Sequence, residues 1–267
     1  MLNRIVLFDM DGTLTESRKS FNLALLGEPL FKLSHHADIG IITGSDLNYL
    51  REQMAVFLNQ SSCRYKTYLM PCNGTKLLWP PKAADDNHTL LHSKSMREEL
   101  GTPNYHKILQ ELILSQVDMM LEDIPLTGHF INCRGPLINW SPIGRNATAS
   151  EREEFIRIDK ERNLRLRVLG ELKAMLSKKD LLQHLTIKLG GDTSFDIYPK
   201  GWNKTYGLQH FKGWDTWFVG DRCDPTGNDY EIYEACKPQS FITESPEMTR
   251  DIIEDQLIPM LRRNNVE

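Results

Sequence analysis

The segment Ile5-Val6-Leu7-Phe8-Asp9-Met10-Asp11-Gly12-Thr13-Leu14-Thr15 splits into an apolar half and a polar, turn-prone half. Four consecutive apolar residues bounded by turn signals read as a buried strand. The polar half then occupies the carboxyl edge of that strand, the place where ligands bind in open α/β folds. Period-two alternation sends Asp9 and Asp11 in a similar direction. Two clustered carboxylates are costly unless a cation offsets them, so the pair invites a hard, oxygen-seeking ion such as Mg2+. Gly12 permits the sharp turn that keeps the chain clear of that ion.

Working outward, Ile39-Gly40-Ile41-Ile42 is a second strand, and it ends in Thr43-Gly44-Ser45-Asp46. Hydroxyl and backbone donors there meet the start of a helix, a natural phosphate seat. Phe21 to Leu33 has apolar residues at helical spacing, and Leu47 to Leu58 repeats the pattern. Strand-helix-strand alternation implies a parallel sheet with crossover helices. The C-terminal segment resumes it. Thr216 to Val219 reads as a strand, Asp229 to Glu234 as a short helix, Ser240 to Thr243 as a strand and Glu247 to Leu261 as a closing helix. The late strand ends at Gly220-Asp221, followed by Gly227-Asn228-Asp229, further acidic ligands for the same ion. Lys204, after Gly201-Trp202-Asn203, supplies a point positive charge.

Each element has an ordinary reading on its own. D-x-D-G-T serves as an acidic turn or opens a Ca2+ loop, but an EF-hand needs more oxygen ligands and a closing Glu, which Thr13 to Lys19 cannot provide. Thr43, Lys204 and Asp221 read singly as a cap, a surface charge and a turn acid. Four such elements in this order, each after a strand or near a domain junction, point to a phosphoryl-transfer site.

The middle of the chain changes character. Trp79 to Asp86 is a loop, the tip of a hairpin before Thr89 to His92. From about Ser93 the order becomes helix, two short strands, long helix, two short strands. Phe130 to Cys133 and Leu137 to Trp140 flank the turn Arg134-Gly135-Pro136, and Thr148 to Met175 is a single long charged helix. Thr186 to Leu189 and Ser194 to Tyr198 surround Gly190-Gly191. Neighbouring strands in runs suggest an antiparallel α+β unit, 93–200, inserted into a parallel domain made of 1–92 and 201–267.

Composition narrows the classes further. The 267 residues are 40% hydrophobic and 25% charged with a formal charge of −4, which excludes global disorder and, lacking a basic block, argues against a nucleic-acid binder. The longest apolar runs are far too short to cross a bilayer, and no signal-peptide core is visible, so no membrane partner and a cytoplasmic location are expected. The five cysteines form no C-x-x-C pair and are odd in number, so neither a disulfide framework nor a zinc site is expected.

The order D-M-D-G-T-L-T, T-G-S-D, Lys204 and G-D-x(5)-G-N-D resembles the haloacid dehalogenase superfamily of phosphotransferases, and within it the eukaryotic-type phosphomannomutases. The likeness runs through Asn73-Gly74, Asn139-Trp140-Ser141-Pro142-Ile143-Gly144-Arg145, Glu151-Arg152 and Ser194-Phe195-Asp196-Ile197-Tyr198-Pro199-Lys200-Gly201-Trp202-Asn203-Lys204. The resemblance implies an α/β fold: a haloacid dehalogenase-like, Rossmannoid parallel-sheet core with an inserted α+β cap domain carrying an antiparallel sheet. It implies Asp9 as nucleophile, Asp11 as general acid/base and Lys204 as the charge beside them. Asp9, Asp11 through its backbone carbonyl, Asp221, Asn228 and Asp229 would hold or support Mg2+. Arg18, Thr43, Gly44 and Ser45 would meet substrate from the core, and Arg134, Arg145, Arg152, Ser194 and Asp196 from the cap.

Arg152 also has an argument of its own. Thr148 and Glu151 form a capping box, which puts Arg152 in a helix's first turn. A cation there opposes the helix dipole, and a bridging anion would resolve the conflict. The implied reaction interconverts mannose 6-phosphate and mannose 1-phosphate, primed by a hexose 1,6-bisphosphate, within mannose metabolism and GDP-mannose biosynthesis. A homodimer through the cap is implied as well. The alternative is a Mg2+-dependent sugar-phosphate phosphatase of the same superfamily; a non-enzymatic sugar-phosphate sensor is disfavoured by intact Asp9 and Asp11. Four departures stand out: Thr43 where the family usually has Gly, Cys72 for a usual Glu, Asn203 for an Asp, and an apparent insertion from Pro80 to Asp86.

Overall fold

Four apolar side chains in a row need cover on both faces of their sheet, and β1 (Arg4–Phe8) has it: Ile5, Val6, Leu7 and Phe8 are wholly shielded from solvent. The structure is a computed structural model and describes residues 3–84 and 86–263. Residues 1–2, 264–267 and Asp85, the last in the expected Trp79 to Asp86 loop, lie outside the described residues. The chain divides into two compact units, one of Met1–Ser93 with Trp202–Glu267 and one of Lys94–Gly201.

In the first unit β1 lies between β2 (Asp38–Ile42) and β10 (Asp215–Gly220), parallel to both. Phe8 is level with Ile41 on one side and Val219 on the other, so the three strands empty at the same height. β3 (Thr67–Met70) continues the parallel set beyond β2, and β11 (Ser240–Ile242) continues it beyond β10. An antiparallel hairpin of β4 (Lys76–Trp79) and β5 (Thr89–Ser93) completes the order β11-β10-β1-β2-β3-β4-β5. The chain winds one way from β1 and later returns to its other side, which makes the β1–β10 boundary the switch point of the sheet.

Alternation along the strands builds two apolar layers. Val6, Phe8, Ile39, Ile41 and Leu69 pack on one face with Leu26 and Leu30 of α1 (Leu23–Leu33). Ile5, Leu7, Ile42, Met70 and Phe218 pack on the other with Phe211 and with Ile232 of α8 (Tyr230–Cys236). Each such side chain contributes about 1.5–3 kcal/mol of burial, and central strands carry two rows of them.

Some elements depart from their expected lengths. The helix expected over Leu47 to Leu58 is two, α2 (Leu47–Gln53) and α3 (Ala55–Gln60), broken at Met54. The closing helix is α9 (Pro246–Ile252), a π-helical turn (Ile253–Leu257) and α10 (Ile258–Arg263). Pro259 has no N–H to continue the regular ladder, which accounts for the wider turn before it. β3 and β4 do not stand out in the sequence pattern, being only four residues each.

The second unit holds α4 (Met96–Leu100), α5 (Thr102–Met119), α6 (Ala149–Arg162) and α7 (Leu164–Ser177) with a four-stranded sheet. β6 (Ile131–Cys133), β7 (Ile138–Trp140), β8 (Leu185–Gly190) and β9 (Ser194–Pro199) lie in the order β6-β7-β9-β8, antiparallel throughout. The single helix expected from Thr148 to Met175 is therefore corrected to two. Asn163 breaks it in the left-handed region at φ 50, a conformation Asn tolerates better than most residues. The Asp159 carboxylate then accepts from the Arg165 backbone N and Nε at 2.7 Å each, satisfying a donor in the first turn of α7. Among the described residues no helix is long and apolar enough to cross a membrane.

The core of this unit is keyed by a buried amide. Trp140 stacks on Phe195 with ring centroids 4.8 Å apart, and its indole N–H donates to Gln116 Oε1 at 2.7 Å. Gln116 Nε2 in turn donates to the Pro142 carbonyl at 3.0 Å. Gln116→Leu strands both partners in a dry core. The expected loss is about 1–3 kcal/mol, read as a lower urea midpoint at unchanged m-value.

Candidate active site

The end of β1 places Asp9 one residue past the last sheet pair, and its N–H still donates to the Val219 carbonyl of β10 at 2.9 Å. That bond ties the carboxylate to the strand whose end carries Asp221. Lys204 stands at the start of a 3-10 helix, Lys204–Phe211, and is almost entirely buried. Its Nζ donates to Asp9 Oδ1 and to Asp229 Oδ1. Asp229 is itself fully buried and accepts from the Arg222 N–H through Oδ2 at 3.3 Å.

Three carboxylates, those of Asp9, Asp221 and Asp229, present oxygens within 4.8 Å of one another. One ammonium cannot balance them. Burial opposes charge on Lys204, yet Asp229 and Asp9 together outweigh it and raise its pKa well above the ordinary lysine value. Burial, then the Asp229 charge, lifts Asp9 well above the usual carboxylate range despite its ion pair. An ion pair alone would lower Asp9; the rise reflects the excess of acid over base. Asp221 is pushed up to about 6, again by burial first and Asp229 second.

Those residues fit a hard cation. Asp221 Oδ1 and Asn228 Oδ1 are buried without a hydrogen-bond partner among the described residues, two oxygen donors with unused lone pairs beside surplus negative charge. Gly12, at φ +88, is what lets the chain pass: a Cβ there would meet Asp221 Oδ2 at 2.3 Å. The Asp11 carboxylate lies outside this cluster. Its Oδ1 accepts from the Arg18 backbone N–H at 3.0 Å and from the Tyr49 hydroxyl at 2.9 Å.

The segment after β2, expected to seat a phosphate, differs from the expectation in one respect. At the start of α2 the acceptor is the chain's own Asp46, whose carboxylate takes the Tyr49 N–H at 3.0 Å. Thr43 is buried and its hydroxyl accepts from the Ser45 N–H at 3.1 Å. The neighbouring Cys72-Asn73 pair, both at positive φ, clasps this loop through Cys72 N–H to Ser45 O and Asn73 N–H to Thr43 O, each 2.8 Å. Asn73 Nδ2 donates to the Trp202 carbonyl at 3.1 Å, two residues before Lys204. Asn203 caps the Lys204 helix, its Oδ1 accepting from the Thr205 N–H at 3.1 Å. The Arg18 side chain is exposed.

In the second unit a separate polar cluster gathers around Asn139, which sits fully within β7. Its Nδ2 donates to Ser194 Oγ at 3.0 Å and Asp196 Oδ1 at 2.8 Å, and its Oδ1 accepts from Arg145 Nη1 at 3.3 Å. Gly190 leaves room for this carboxylate, since a Cβ would meet Asp196 Oδ2 at 2.7 Å. Arg134 is buried in the turn after β6, its N–H donating to the Leu137 carbonyl at 2.9 Å. The Thr148–Glu151 capping box is present. Arg152, however, meets the dipole conflict with protein oxygens: its guanidinium donates to the carbonyls of Ala147 (3.0 Å) and Arg145 (2.9 Å) and to Thr193 Oγ1 (3.1 Å).

Sequence reasoning passed over Asn139, Thr193 and Tyr49. The signal for Asn139 was available, a lone amide between Ile138 and Trp140 in an otherwise apolar strand; Tyr49 carried none.

A family model described as eukaryotic phosphomannomutase matches residues 26–259. The chain belongs to that family. A phosphomannomutase of Arabidopsis thaliana is 35% identical over 92% of this chain and 93% of its own length. Another, of Schizosaccharomyces pombe, is 39% identical over 86% and 84%. Membership places the phosphomannomutase-like chain among the intramolecular phosphotransferases, which are isomerases. Solved structures resemble it at low identity and speak to fold alone. An IMP-nucleotidase of Plasmodium falciparum superposes with a TM-score of 0.67 at 14% identity, covering 97% of this chain and 67% of that one. A trehalose-6-phosphate phosphatase of Aspergillus fumigatus gives 0.52 at 18%, covering 98% and 93%. Both are haloacid dehalogenase-fold phosphatases, and the α/β fold here is theirs, with an antiparallel sheet in a second unit.

The raised carboxylates make a pH prediction. A native pKa above the unfolded value means the native state binds more protons, so stability is highest at low pH and is lost as pH rises through the native pKa. With a chelator present, the contribution of Asp221 should fall away between about pH 4 and about pH 6. Adding Mg2+ should raise the melting temperature most above pH 6, where the carboxylates are ionised, and Asp221→Asn should remove most of that gain.

Proposed function

We propose that the protein interconverts mannose 6-phosphate and mannose 1-phosphate, with a hexose 1,6-bisphosphate as intermediate and activator. The observation that carries this reading is the buried Lys204 ammonium bridging Asp9 and Asp229 at the end of β1, inside a chain of the phosphomannomutase family.

In the proposed reaction Lys204 holds one oxygen of Asp9 and fixes the direction of the carboxylate. Asp9 forms a bond to phosphorus, the bond from phosphorus to the sugar oxygen breaks, and an aspartyl-phosphate results. Asp11 gives its proton to the departing sugar oxygen and takes one back when the other hydroxyl attacks. Asp9, Asp221, Asn228 and the Asp11 carbonyl are the groups to hold Mg2+, with Asp229 supporting them through Lys204. When bound, the ion supplies the positive charge that lets a carboxylate approach a phosphate anion. Thr43, Gly44 and Ser45 seat the reacting phosphate and Arg18 meets substrate from the core.

A mutase must also keep the intermediate long enough to return the phosphoryl group to it, which needs a grip on the distal end. Arg134, Arg145 and Arg152 supply guanidinium forks suited to phosphate oxygens, and Ser194 and Asp196 address sugar hydroxyls. The 93–200 unit acts in this reading as the cap of a core formed by 1–92 and 201–267. The product feeds GDP-mannose biosynthesis in the cytoplasm. Phosphorus NMR of mannose 1-phosphate with Mg2+ and hexose 1,6-bisphosphate should show mannose 6-phosphate appearing, and Asp9→Asn should lower the rate by at least about a thousandfold. Free phosphate without isomerised sugar phosphate would instead identify a sugar-phosphate phosphatase.

The same reading includes a homodimer formed through the cap. Ile113, Leu114 and Val117 of α5, with Met120 and Leu121 just beyond it, are each more than half exposed. Their spacing puts them on one side of a helix, an apolar stripe of the kind that marks an interface. Leu114→Asp paired with Leu121→Asp should convert a dimer to a monomer in analytical ultracentrifugation at micromolar concentration.

A further inference from the structure

Tyr49 stands apart from the groups assigned to the reaction, yet its hydroxyl donates to Asp11 Oδ1 at 2.9 Å. The contact is long-range, thirty-eight residues apart in sequence, and arises from how two strands end. β1 and β2 empty at the same level, Phe8 beside Ile41. Asp46 caps α2 and takes the Tyr49 N–H at 3.0 Å, so the first turn of that helix is anchored beside the end of β2. The ring then spans from the first turn of α2 to the loop after β1. A second donor, the Arg18 backbone N–H, reaches the same Asp11 oxygen at 3.0 Å. Both hydrogen bonds fall on Oδ1, and among the described residues none falls on Oδ2.

We propose that Tyr49 is a positioning residue that fixes Asp11 through Oδ1, so that Oδ2 is the oxygen that exchanges a proton with the sugar. The inference rests on the reading of Asp11 as general acid/base. In the first half-reaction the Asp9–phosphorus bond forms, the phosphorus–oxygen bond of the donor breaks, and the proton moves from Asp11 Oδ2 to the sugar oxygen. The products are the sugar alcohol and aspartyl-phosphate. Tyr49 gives up no proton and touches no reacting atom. Without it, Asp11 keeps one backbone anchor and gains rotational freedom, and a loosely held acid transfers its proton less often.

A structural role and a positioning role separate by leaving group. A sugar alkoxide needs the proton; p-nitrophenolate, a far weaker base, departs without one. The measurements are kcat/KM for mannose release from mannose 1-phosphate and for p-nitrophenolate release from p-nitrophenyl phosphate, both with Mg2+. These constants report the half-reaction up to departure of the leaving group.

For Tyr49→Phe, which keeps the ring and its packing, the expected deficit in kcat/KM is about tenfold with mannose 1-phosphate and about twofold or less with p-nitrophenyl phosphate. An equal deficit with both donors, or none with either, overturns the inference. Asp11→Asn is the companion variant. If it shows the leaving-group contrast and Tyr49→Phe does not, the positioning role alone falls. If Asp11→Asn treats the two donors alike, Asp11 is not the acid, and the inference falls together with that reading.

Discussion

One buried ammonium among three carboxylates is the constraint around which the first unit is organised. Lys204 has lost its water almost completely and is held by Asp9 and Asp229. Removing one partner of such a pair typically costs about 3–5 kcal/mol, because the other charge is left buried and uncompensated. With all three carboxylates ionised against one ammonium, the cluster is still two positive charges short of balance. The excess surfaces as raised pKa values at Asp9 and Asp221 and as the Oδ1 atoms of Asp221 and Asn228, which have no hydrogen-bond partner among the described residues. A site of this kind holds its acids ready for a cation, at the expense of its own stability without one.

The sheet makes that site possible. β1 and β10 are neighbours although Asp9 and Asp221 are far apart in sequence, and their equal register delivers both carboxylates at one edge. Gly12 and Gly190 mark the places where a backbone has to yield to a carboxylate, at Asp221 in one unit and Asp196 in the other. The two polar clusters differ in kind. Around Lys204 charge is concentrated and unbalanced; around Asn139 neutral and charged groups satisfy one another through a single amide.

Three of the four departures from the family pattern have local structural accounts. Asn203 caps the Lys204 helix with its side-chain oxygen, a task open to Asp or Asn alike. Cys72 is fully buried with a left-handed backbone, in a loop held by backbone hydrogen bonds to Ser45 and Thr43. The Thr43 hydroxyl is engaged within its own loop by the Ser45 N–H.

The amino-acid sequence alone determined what depends on local pattern. Apolar runs ending in Asp9, Thr43 and Asp221 marked the strands and the edge they share, and clustered carboxylates there implied a cation before any coordinates. It also showed a capping box at Thr148–Glu151, because capping is a matter of residues three apart. Periodicity could not see the breaks at Met54 and Asn163, since helical spacing runs on through a single residue whose backbone departs from the helix. Nor could it find contacts that exist only after distant segments meet. That Lys204 is buried between Asp9 and Asp229, and that Arg152 donates to three protein oxygens, are contacts no local pattern carries. The Tyr49 hydroxyl reaches Asp11 only because β1 and β2 end side by side. Burial and hydrogen-bond partnership are properties of neighbours in space, and only the tertiary structure decides who those neighbours are.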